Sequence, residues 1–118
     1  MTLSNIAGFP RIGPNRELKF ATEGYWRGET SAEQLAQTAS EIRRANWKLM
    51  QEAGIDLIPS NDFSLYDQVL DAVALVGAVP ERYDHGGGQV DLDTYFAMGR
   101  GRQAEGVDHE EPPGGTLK

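Results

Sequence analysis

Leu35, Ala39, Ile42, Leu49 and Ala53 recur at intervals of three, four and seven, with Glu41, Arg44 and Lys48 between them. This is the period of an α-helix with one buried stripe. Thr30 or Ser31 stands ahead of it with Glu33 or Gln34 three residues later, in the register of a capping box, and Gly54 follows the last apolar position. Shorter patterns flank this helix. Leu3 to Phe9 is a partly apolar run closed by Pro10 and Gly13, and Ile55 to Pro59 is a second such run, so each predicts a strand. Between the first strand and the long helix, Asn15 to Trp26 predicts another helix, entered through Pro14-Asn15 and closed by Gly28. After the second strand, Ser64 with Asp67 predicts a helix through Val69, Leu70, Val73, Ala74 and Val76, ended by Gly77.

Strands alternating with helices predict parallel pairing and an α/β fold, with ligand groups gathered beyond the carboxyl ends of the strands. Two polar stretches, Arg11 to Lys19 and Ser60 to Asp62, occupy such positions. Beyond Pro80 the periodicity fades. Gly86 to Gly88 predicts a turn, Val90 to Leu92 a brief extended piece, and Asp93 the cap of a short helix through Met98. Gly99 to Lys118, with five glycines and two prolines, reads as a flexible loop or tail. The organisation is therefore a structured part over 1–98 and a tail over 99–118. Two strand–helix units leave a parallel sheet with an open edge, so the chain reads as an incomplete piece of a larger fold.

Charge changes the picture at one place. The chain carries a net −7, yet Arg11, Arg16 and Lys19 face only Glu17 across the Arg11 to Lys19 stretch, a local +2. Arg16 and Lys19 lie three apart in the first turn of a helix, beside N–H groups that have no partner inside it. Cations there oppose the helix dipole by roughly 0.3–1 kcal/mol each, so stability alone favours acids. The placement suits an anionic ligand. The bland alternative is a pair of solvated cations bridged to Glu17 or Glu23.

Other chemistry is sparse. An acidic chain with one small basic turn does not fit a nucleic-acid or anionic-membrane binder. No run of about 18 apolar residues predicts a membrane span, and the N-terminus lacks a signal-peptide pattern, so a cytoplasmic location is expected. The chain has no cysteine, which excludes a thiolate nucleophile or a cysteine-bound zinc within it. His85 and His109 lack metal-ligand spacing, and His109 beside Asp108, Glu110 and Glu111 reads as an acidic loop. Asp67 and Asp71, four apart, read as a solvated helix face, and Phe20, Tyr25, Trp26 and Trp47 as packing.

Several stretches together resemble the cobalamin-independent methionine synthase family, the 5-methyltetrahydropteroyltriglutamate–homocysteine methyltransferases. They are Gly8-Phe9-Pro10-Arg11-Ile12-Gly13 with Arg16-Glu17-Leu18-Lys19, Tyr25-Trp26, and Ala53 to Pro59, followed by Tyr66 to Asp71, Gly77 to Pro80, and Met98 to Arg102. The resemblance implies the opening βα units of an N-terminal (β/α)8 TIM-type barrel, incomplete here because one barrel takes about 250 residues. It implies a part in moving the methyl group of 5-methyltetrahydropteroyltri-L-glutamate to L-homocysteine to give L-methionine, without cobalamin. The zinc of such an enzyme, with its histidine, cysteine and glutamate ligands, belongs to a second barrel, as does the catalytic histidine. No catalytic or metal residue is expected here, and the chain alone is expected to be inactive. The family's folate-binding motif falls on Arg16, Glu17, Leu18 and Lys19, the cations gripping the polyglutamate tail and Glu17 and Leu18 giving backbone or packing. A later lysine falls on Lys118, where Thr116-Leu117-Lys118 departs from the family's Met-Thr-Lys. The alternative is a stand-alone folylpolyglutamate or polyanion-binding module without catalysis.

Overall fold

The computed structural model describes residues 1–101, so the tail assignment from 102 onward and the candidate Lys118 lie outside the described residues. Four helices carry the fold: α1 (Glu17–Trp26), α2 (Ala32–Glu52), α3 (Gln68–Val76) and α4 (Leu92–Arg100), with a 3-10 turn at Glu81–Tyr83 before the last.

The local chemistry of α2 explains its length. The Ser31 hydroxyl accepts from the Gln34 N–H and the Gln34 side chain accepts from the Ser31 N–H, a complete capping box. Gly54, at φ 80°, adopts the left-handed turn that ends the helix. Its stripe of Leu35, Ala39 and Ile42 packs against Leu18 of α1, and Tyr95 and Phe96 of α4 complete this core. Phe96 lies between Tyr25, Trp26, Tyr66 and Tyr95, with ring centroids 5.2–6.3 Å away. Edge-on and tilted contacts of this kind favour one relative placement of α1 and α4.

Three predicted caps move. Arg16 takes the cap position of α1 in place of Asn15, because the loop winds into a turn in which the Arg16 N–H reaches the Gly13 carbonyl. Asp67 caps α3 in place of Ser64, accepting from the N–H groups of Val69 and Leu70, while Ser64 is buried. Asp91 caps α4 in place of Asp93 by accepting from Thr94, and the helix runs two residues past Met98 to Arg100.

The two segments predicted as strands are shorter than expected. Among the described residues they meet in one parallel bridge, Asn5 with Leu57. A side-chain clasp holds them instead of a ladder. The Ser4 N–H and hydroxyl donate to the Asp56 carboxylate at 2.8 and 2.9 Å, and the Asp56 N–H donates back to the Ser4 hydroxyl at 3.0 Å. These bonds hold the Asp56 carboxyl below its ordinary value. Leu3 and Leu57 remain half exposed, and no third segment flanks them among the described residues.

Candidate functional site

The loop entering α1 is wound by its own backbone. The Leu18 N–H reaches over the turn to the Ile12 carbonyl at 3.0 Å, and the Glu17 carboxylate accepts from the Asn15 N–H at 3.0 Å. Gly13 is required here twice. Its φ is 87°, and a Cβ would strike the Glu17 carboxylate.

Arg16 pays for the turn with a left-handed backbone, φ 60° and ψ 32°, costing a non-glycine residue roughly 1–2 kcal/mol. Its side chain is exposed and makes no hydrogen bond or ion pair among the described residues. Lys19, one turn on, is also exposed. It lies 3.6 Å from Glu23 in an ion pair and 5.8 Å from the Phe20 ring centroid. Exposed pairs of this kind hold a lysine loosely, by about 0.3–0.5 kcal/mol. Leu18 between them is 0% exposed and belongs to the core. Its side chain anchors the turn, its N–H is taken by the Ile12 carbonyl, and its carbonyl accepts from the Thr22 hydroxyl. Glu17 likewise shapes the turn.

The neighbouring cleft does not suit an anion. It holds about 230 Å³ between Pro14, Glu17, Thr38, Glu41, Ile42 and Asn46, and its only charged groups are acidic. Arg16 and Lys19 are both exposed at this end of α1.

The two polar segment exits are tied together by bonds that the sequence does not announce. Arg11 Nη1 donates to the Leu65 carbonyl at 3.1 Å, the Phe9 N–H donates to the Asp62 carboxylate at 2.8 Å, and the Asn46 amide donates to the Pro10 carbonyl at 3.2 Å. A crevice of about 400 Å³ lies beside these ties, lined by Asn61, Asp62, Gln68 and Asp71. Gly8 lies beside Asp62, where a Cβ would meet the carboxylate at 3.4 Å, an ordinary contact. Arg11 thus ties one guanidinium donor to the neighbouring backbone, unlike Arg16, whose side chain has no such bond among the described residues.

Of the two acids expected on a solvated face, Asp67 is exposed and Asp71 is partly buried. Asp67 caps α3, and Asp71 accepts a 2.7 Å hydrogen bond from the Tyr95 hydroxyl, which itself accepts from the N–H groups of Tyr66 and Asp67. Burial first, then the Asp71 bond, pushes the Tyr95 phenol up to about 12. Burial also raises the Asp71 carboxyl above its ordinary value, with the Asp67 charge adding and Tyr95 and Arg11 opposing. Tyr25 is raised to about 12 by burial and by its 2.5 Å bond to Asp93. Among the aromatic residues, Trp26 is packed under the Arg100 guanidinium at 3.8 Å, while Trp47 donates to the Pro59 carbonyl and Phe20 is exposed.

His85 closes its own glycine turn, 3.3 Å from the Gly88 carbonyl, and His109 lies outside the described residues. No group of three or more metal-ligating side chains gathers among the described residues.

Residues 3–110 match the family described as cobalamin-independent synthase, N-terminal domain. The chain belongs to this family. Within the cobalamin-independent synthases, it is 56% identical over 110 residues to the 5-methyltetrahydropteroyltriglutamate–homocysteine methyltransferase of Salinibacter ruber, covering 93% of this chain and 14% of the relative. The Saccharomyces cerevisiae protein of the same name is 53% identical over 114 residues, covering 94% of this chain and 14% of the relative. A rice relative, numbered 1 under that name, is 57% identical over 98 residues, covering 83% of this chain and 13% of its own length. The chain therefore spans about a seventh of the length of these curated relatives of the synthase family.

Proposed function

We propose that this chain is the N-terminal segment of a methyltransferase that moves the methyl group of 5-methyltetrahydropteroyltri-L-glutamate to L-homocysteine, giving L-methionine. The names of its relatives supply the reaction class, and the share of their length that it covers supplies its place as a part. Its own contribution is to hold the polyglutamate tail. Arg16 and Lys19 attract the tail carboxylates at the start of α1, Glu17 and Leu18 set the turn, and Lys118 adds a cation. The fold proposed is the opening of an N-terminal (β/α)8 barrel, which the parallel sense of the Asn5–Leu57 bridge supports. A cytoplasmic location fits such a biosynthetic enzyme, and no helix among the described residues is long and apolar enough to cross a membrane.

One observation carries the tail assignment. Arg16 keeps a cation at a helix start where both the left-handed backbone and the helix dipole disfavour it, and no described side chain engages it. A charge held against local preference and left free fits an external anion. Zinc, which the family resemblance implies for the complete enzyme, does not fit the residues here: the chain has no cysteine and the described residues gather no ligand set.

Calorimetry with 5-methyltetrahydropteroyltriglutamate and its monoglutamate tests this reading. The test uses a fusion of this chain to the remainder of the Salinibacter relative. Loss of both cations in an Arg16→Ala, Lys19→Ala variant should weaken the triglutamate about a hundredfold or more, from charge-assisted hydrogen bonds of about 1.5–3 kcal/mol each, and leave the monoglutamate nearly unchanged. Equal effects on both ligands would overturn it. Tight, salt-sensitive binding by the isolated chain, lost in the same variant, favours the stand-alone polyanion module, the second reading that the basic turn supports.

A further inference from the structure

Within α1, Leu18, Ala21, Tyr25 and Trp26 pack inward, but one large apolar side chain does not join them. Phe20 is 58% exposed. Lysine, glutamate or alanine fills an exposed helical position more favourably, because phenylalanine loses rotamer freedom against the preceding turn and here keeps most of its ring in water. Stability of the helix therefore does not account for phenylalanine at this position.

Its neighbours on that face are the two cations. The Phe20 N–H donates to the Arg16 carbonyl at 3.1 Å, so Phe20 stands one helical turn on from Arg16. The Lys19 ammonium lies 5.8 Å from the Phe20 ring centroid. Positions 16, 19, 20 and 23 recur at three- and four-residue intervals, and the acid among them, Glu23, is 3.6 Å from Lys19. The outer face of α1 thus presents two exposed cations and one exposed ring side by side.

A γ-linked polyglutamate tail has the matching alternation. Each unit carries a carboxylate, and an amide and two methylenes separate one carboxylate from the next. Cations hold the carboxylates but offer the methylenes nothing, whereas an aromatic face removes methylenes from water and accepts a planar amide laid on it. We propose that Phe20 is a specificity-determining residue for the polyglutamylated methyl donor, its ring covering the methylenes and amide of one tail unit while Arg16 and Lys19 hold neighbouring carboxylates. The proposal rests on the reading of Arg16 and Lys19 as the tail site. The tail is selected over the aryl part of the donor because the ring shares its face with both cations, and the donor's carboxylates lie in its glutamates.

The test compares Phe20→Ala and Phe20→Tyr with the parent fusion to the remainder of the Salinibacter relative, titrated with 5-methyltetrahydropteroyltriglutamate and its monoglutamate at low and high salt. Phe20 is exposed, so both variants keep the core. Phe20→Ala should weaken the triglutamate about five- to tenfold, the effect of two methylenes returning to water, and leave the monoglutamate unchanged. Phe20→Tyr should restore the parent affinity. The dependence of affinity on salt should keep its slope in Phe20→Ala, because the lost contact is apolar. A flattened slope overturns the proposal, since the ring then acts only through the Lys19 charge. Equal loss for both ligands overturns it by placing the ring on the aryl part of the donor. Unchanged triglutamate affinity also overturns it, and a lower melting midpoint of the ligand-free fusion then makes the ring structural. If Arg16→Ala, Lys19→Ala fails to separate the two ligands, the tail reading falls and this proposal with it. If that variant separates them and Phe20→Ala does not, the ring assignment alone falls.

Discussion

Arg16 is where backbone and charge disagree most plainly. Glycine adopts its φ of 60° without strain, so Arg16→Gly should stabilise the isolated chain by about 1 kcal/mol in urea denaturation while lowering triglutamate affinity in the fusion. A variant that loses stability instead shows the side chain to be structural. The sequence suggests Asn15 as the cap because asparagine is a favoured capping residue. It does not reveal that the Glu17 carboxylate takes the Asn15 N–H and shifts the cap by one residue. Asp71 shows the same limit over a longer span. Four residues from Asp67, it reads as a solvated acid, and only the approach of Tyr95, 24 residues away, reveals its role. Its carboxyl is raised above the ordinary 3.8, so the folded chain binds that proton more tightly than the unfolded one. The associated stability is present below pH 3.8 and is lost as pH rises through the raised value. Asp71→Asn keeps an oxygen for Tyr95 and removes the charge. The variant should melt above the wild type at pH 7, with the gap closing toward pH 3.

At the scale of elements, α2 is legible because its information is local: an apolar stripe, a Ser31–Gln34 box and a glycine stop within one stretch. The paired segments are less so, because a clasp between Ser4 and Asp56 replaces the ladder that their apolar residues suggest. Packing between helices is set by small residues that a propensity argument misjudges. Gly99 lies inside α4, where alanine ordinarily gains about 1 kcal/mol. Here a Cβ comes within 2.8 Å of the Tyr66 ring and of a Leu70 methyl, so Gly99→Ala should instead cost about 1–3 kcal/mol, read as a lower denaturation midpoint at unchanged slope. A neutral or stabilising result means that α3 and α4 separate freely.

At the scale of the whole molecule, one clasp joins residues 52 positions apart, whereas α1 and α2 meet across a short turn. Bringing distant residues together has a larger entropic cost than closing a turn, and the helical pair can form without it. The chain should therefore assemble in a fixed order. Pulse-labelled hydrogen exchange during refolding should protect the α2 amides before the Leu57 N–H, and simultaneous protection would contradict that order. On a ribosome, the amino-terminal extended segment then has to wait, unpaired, until Asp56 has emerged, whereas the turn carrying Arg16, closed by bonds within residues 12–18, can set before that late arrival.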